Sequence, residues 1–132
     1  MHEKKQSELT VIMKAKDLCK YIMTVTQKSP KQYRFTFTSR LQNLSLDVIE
    51  HIYRANDTFV SGNEKAARYQ RRLDFQQEAL TELRLLAYFA QAALEQQAIL
   101  PKQYEQIAKQ SSDCMNLLGA WIISDKKRFG YS

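Results

Sequence analysis

Three interruptions govern what this chain can become. Only three glycines and two prolines occur in 132 residues, and Ser29-Pro30, Ser61-Gly62-Asn63 and Ile99-Leu100-Pro101 are the points where a helix must stop. Proline disfavours helical backbone at the residue before it and lacks the N–H that a preceding turn uses, yet it suits the first turn of a new helix. A Ser-Gly-Asn cluster is turn chemistry. Between these breaks the chain is poor in helix breakers, so four helices are expected at roughly 8–28, 35–58, 64–97 and 101–124.

Apolar residues recur within each segment at helical spacing. The first carries Leu9, Ile12, Cys19, Ile22, Met23 and Thr26, with Ser7 placed to cap it. The second carries Phe37, Leu41, Leu44, Val48, Ile52, Ala55 and Phe59. Tyr33 to Thr38 alternates aromatic and threonine residues as a strand does, but it reads better as the start of this helix. The third carries Tyr69, Leu73, Leu80, Leu83, Ala87, Ala90 and Leu94, and its length of about 50 Å exceeds the others. The fourth turns Tyr104, Ile107, Ser111, Cys114, Leu118, Trp121 and Ile122 inward. Four helices on short connections predict an all-α, single-domain, up-down-up-down four-helix bundle, with a frayed basic tail over 125–132. Gly119, inside the last helix, costs roughly 1 kcal/mol relative to alanine and points to close approach of another backbone.

Catalytic chemistry is missing from the sequence. His2 lies in the polar start and His51 stands alone beside Glu50, a satisfied or solvent-facing helix residue rather than a general base. Glu78 and Glu82 are spaced as half of a carboxylate metal site, but the Glu-x-x-His partners of di-iron bundles are absent and a solvated face is the simpler reading. The scattered glycines form no phosphate loop. A non-enzyme without cofactor or metal is expected. Cys19 and Cys114, far apart and each in an apolar stripe, read as reduced, buried thiols and hence a cytoplasmic protein. No apolar run suits a secretory leader or a membrane span, so no membrane partner is expected.

The net charge of +6 implies an anionic partner. In the expected topology Lys28, Lys31, Arg34 and Arg40 share one pole of the bundle. Lys4, Lys5, Arg54, Lys65, Arg68, Arg71, Arg72, Lys126, Lys127 and Arg128 share the other. Arg68, Arg71 and Arg72 fall at i, i+3 and i+4 near a helix N-terminus, where the helix dipole already favours anions. Such a patch reads either as a phosphate or acidic-partner contact that reads no bases or as a solvated surface answered by the counter-charges Asp74 and Glu64.

Several stretches carry a family likeness: Pro30-Lys31-Gln32-Tyr33-Arg34-Phe35-Thr36, Arg40 to Asn43, Leu46 to Glu50, Arg54 to Asn56, Leu80 to Leu86, and Leu117-Leu118-Gly119-Ala120-Trp121. Together they resemble the accessory variability determinant proteins of diversity-generating retroelements, over most of residues 8–125. The resemblance implies a homopentameric barrel that associates with the element's reverse transcriptase and binds RNA or DNA through positive surface. It assists error-prone copying of a template repeat into cDNA. By the same likeness Lys31 and Arg34 belong to the Pro-Lys-x-x-Arg-Phe motif, and Arg68, Arg71, Arg72 and Arg84 to the basic stretch of the third helix. Related proteins encoded by intervening sequences of ribosomal RNA carry a Ser-x-x-x-Asn-Ile-Ala-Glu-Gly stretch in their second helix, which this chain lacks. A purely structural or regulatory oligomeric bundle of that type is the alternative. Small residues at Ala87, Ala90, Ala92, Ala93, Gly119 and Ala120 are read as room for contact between copies.

Overall fold

Each apolar stripe finds a partner in the computed structural model, which describes residues 2–130 and their side chains from residue 10 onward. Helix α1 spans His2–Gln27, α2 Ser39–Asn56, α3 Lys65–Glu95 and α4 Pro101–Arg128. A 3-10 turn, Lys31–Tyr33, and a π-helical turn, Arg34–Thr38, lead into α2. Among the described residues there is no strand. Helices adjacent in sequence pack side by side, and α1 closes the ring against α4, as an up-down-up-down bundle requires.

The core is one continuous cluster. Val11, Leu18 and Ile22 meet Leu41, Val48 and Ile52 from α2, Leu83, Leu86 and Ala90 from α3, and Ile107, Leu118 and Trp121 from α4. All three breaks stand where the sequence put them. Gly62 takes a positive φ of 78° in the α2–α3 turn. Gln97 ends α3 at φ 63°, letting the Ala98 N–H donate to the Ala93 carbonyl at 2.8 Å, the bond pattern of a Schellman cap. Pro101 then opens α4, and the Leu100 N–H donates to the Gln103 side-chain oxygen at 2.8 Å.

Several expectations are corrected. Helix α1 begins at His2, so Ser7 lies inside it rather than at its start. Helix α4 runs through Arg128, so residues 125–128 are not a frayed tail: Asp125 is 1% exposed and anchors the last turn. Tyr131 and Ser132 of that expected tail lie outside the described residues. Phe59 is 70% exposed, beyond the end of α2. At Gly119 a Cβ would meet nothing within 4 Å, so no other helix among the described residues brings its backbone close there. Ala90 and Ala93 are fully buried in the chain's own core, whereas Ala120 stays exposed.

Candidate functional site

The basic pole forms where the first turns of α3 meet the last turns of α4. Two contacts fix this register: Tyr69 and Phe129 rings at 5.8 Å, and Arg72 with Asp125 at 2.6 Å. They set exposed Arg68 and Arg71 beside exposed Lys126, Lys127 and Arg128. Arg68 donates a long hydrogen bond to the Phe59 carbonyl at 3.5 Å, and Arg128 lies 5.0 Å from the Phe129 ring. Arg71, Lys126 and Lys127 make no ion pair among the described residues. Asp74, which the sequence offers as a counter-charge, instead accepts from Gln70 at 2.8 Å. Lys4 and Lys5 fall on α1 where side chains are not described.

Arg72 does not belong to this surface. It is 4% exposed and points inward, its guanidinium held in bidentate fashion by Asp125 at 2.6 and 3.2 Å and stacked 5.1 Å from the Trp121 ring. It also donates to the Ala55 and Thr58 carbonyls at 3.4 Å, tying the end of α2 to α3 and α4. Gln76 joins the network by donating to Asp125 at 2.9 Å. Arginine spacing alone suggests a surface triplet, but the i+4 residue rotates onto the core face and finds a carboxylate there. Arg84 is exposed but lies about 18 Å along the helix axis from Arg72, apart from the basic pole.

The opposite pole gathers Lys31 and Arg34 in one shallow concavity of about 250 Å³, with Thr26, Pro30 and Thr38. The Tyr33 hydroxyl donates to the Gln96 carbonyl at 2.8 Å, pinning the irregular segment against the end of α3. A π turn puts one extra residue into the helix and shifts the phase of its side chains. Phe35 is thereby left 86% exposed while Phe37 packs on the core. Between this segment and α3 runs a groove of about 590 Å³ lined by Phe35, Phe37, Arg40, Asn43, Asp47 and Phe89. Arg40 lies over the Phe89 ring at 5.2 Å in this groove, whereas Lys31 and Arg34 line the other concavity.

On the α2–α3 seam, His51 Nδ1 and Glu82 Oε1 are 2.8 Å apart, with side chains 22% and 11% exposed. Glu82 is therefore no part of a solvated face, as its spacing from Glu78 suggested. Burial pushes its carboxyl above the usual range, the His51 hydrogen bond and charge oppose this, and Asp47 and Glu78 add to the rise. Both thiols are free and buried, as expected, with the Ser45 hydroxyl 3.3 Å from Cys19 Sγ. Burial pushes the Cys114 thiol up to about 11, so it stays protonated and unreactive.

No protein-family model and no curated protein matches the chain. Among solved structures it is similar to a protein of unknown function from the S23 ribosomal protein family of Bacteroides thetaiotaomicron. The two are 17% identical with a TM-score of 0.74, over 90% of this chain and 96% of that one. At that identity the likeness is one of fold. The chain is a four-helix bundle of the same architecture as that protein.

Proposed function

We propose that this chain is a basic nucleic-acid-binding accessory protein that associates with a reverse transcriptase and assists cDNA synthesis from the template repeat of a diversity-generating retroelement. The observation that carries the nucleic-acid part is the pole of exposed Arg68, Arg71, Lys126, Lys127 and Arg128, of which Arg71, Lys126 and Lys127 lack ion-pair partners among the described residues. Unpaired cations held beside one another repel, and a phosphate backbone relieves that repulsion while releasing counterions. The reverse-transcriptase part rests on the sequence resemblance. A reverse-transcriptase gene beside two near-identical repeats in the genome supports it, and a neighbourhood without either removes it.

Fluorescence anisotropy with single-stranded and duplex oligonucleotides tests the binding. If four phosphates are neutralised, affinity falls roughly a hundredfold over a fourfold rise in salt. Reversing charge at Arg68, Arg71, Lys126 and Lys127 weakens binding to all sequences alike and leaves helicity intact. Arg72 is excluded from this set, because its reversal places a carboxylate against Asp125 inside the bundle. Equal binding by parent and variant, or affinity indifferent to salt, reduces the pole to solvated surface.

A second reading, a structural bundle acting through self-association, is favoured by exposed Met13, Tyr88 and Ile123 at 56%, 65% and 57% and by the open face at Gly119. Light scattering distinguishes it: a pentamer mass without nucleic-acid affinity supports this reading, and a clean monomer removes it.

A further inference from the structure

The α2–α3 seam gathers metal-ligating chemistry that the basic surface does not use. Helix α2 supplies His51, and antiparallel α3 supplies Glu78 and Glu82 one turn apart, with ligand atoms from all three lying within 4.8 Å of one another. Their burial is graded: Glu82 is buried, His51 half-buried and Glu78 exposed, so the group opens to solvent on one side. Asp47, one turn before His51, brings a third carboxylate whose charge reaches Glu82. Neither Asp47 nor Glu78 makes a hydrogen bond or ion pair among the described residues. In a chain of net charge +6, three carboxylates beside one imidazole, with no ion pair to a lysine or arginine among the described residues, form a local excess of negative charge.

We propose that His51, Glu78 and Glu82 form a surface-open site for a first-row divalent cation of the Zn²⁺ type, bridging α2 and α3. An imidazole with two carboxylates is a donor set such ions accept, and three protein ligands leave a position for water. Metal–ligand bonds of 2.0–2.2 Å in a tetrahedral site place ligand atoms roughly 3.4 Å apart. The present span, from the 2.8 Å contact of His51 with Glu82 up to 4.8 Å, brackets that value. The remaining difference of about 1.4 Å is of the size that side-chain rotation spans, and Glu78 is exposed. For Nδ1 to ligate the cation, its hydrogen bond with Glu82 breaks and the bonded hydrogen goes to Nε2 by tautomer exchange or to solvent.

Calorimetric titration of the full chain with Zn²⁺, together with Co²⁺ absorption, tests the site. One ion per chain is expected, with a metal-dependent rise in melting temperature, since a ligand that binds only the folded state stabilises it. The chain has two histidines, so a His2→Ala background leaves His51 as the single imidazole signal, and its ring ¹⁵N resonances shift on Zn²⁺ addition. Glu78→Gln alters an exposed side chain and keeps the fold; it lowers affinity by at least roughly tenfold, the loss that even an outer-shell partner's removal brings. Equal affinity in Glu78→Gln, binding abolished by His2→Ala, or no shift of the His51 resonances at millimolar Zn²⁺ overturns the proposal.

Discussion

Removing the Asp125 carboxylate is the sharpest test of how this bundle is held together. Asp125 and Arg72 have side chains 2% and 5% exposed and meet at 2.6 Å, so neither charge has water to fall back on. Asp125→Ala leaves a buried guanidinium without that carboxylate and takes away the acceptor of Gln76. Deleting one partner of a buried pair costs about 3–5 kcal/mol, because the remaining charge stays desolvated after losing that carboxylate. For a domain of this size that corresponds to a melting temperature lower by roughly 10–20 °C. The double variant Arg72→Met/Asp125→Leu replaces the pair with apolar volume beside Trp121 and is expected to lose much less than the sum of the two single changes. Urea unfolding followed by far-ultraviolet circular dichroism and Trp121 fluorescence measures Asp125→Ala and the four corners of the cycle: parent, Arg72→Met, Asp125→Leu and the double variant. A loss under about 1 kcal/mol for Asp125→Ala, or strict additivity, would refute the view that the pair is a desolvated unit.

Two further outcomes follow from local geometry. The Cys114 thiol is raised from near 9 to about 11 in the fold, so its contribution to stability is intact below pH 9 and is lost as pH climbs toward 11. That amounts to roughly 2–3 kcal/mol, seen as a shallower alkaline decline in Cys114→Ala than in the parent when unfolding is compared across that window. Gln97 holds a φ of 63° that suits glycine, so Gln97→Gly is expected to raise stability by roughly 0.5–1 kcal/mol; a lower melting temperature would show the cap to be unstrained.

Helix count, breaks and connection lengths were legible in the sequence because they depend on local rules. Proline's missing N–H at residues 30 and 101 and the Ser61-Gly62-Asn63 turn act within a few residues, and apolar spacing marked Leu41, Val48, Ile52, Ile107, Leu118 and Trp121 as core. Helix α3 was less legible, since its buried face includes Arg72, Gln76 and Glu82, whose residue types signal solvent. Such groups go inside only when a partner on another helix satisfies them: Asp125 lies 53 residues from Arg72, and His51 lies 31 from Glu82. The sequence could therefore place Arg68, Arg71 and Arg72 in one cluster but not rotate Arg72 away from it. Helical register between elements is set by how side chains interlock across the bundle, and only the tertiary structure decided which of the basic and acidic residues became surface and which became the ties between helices.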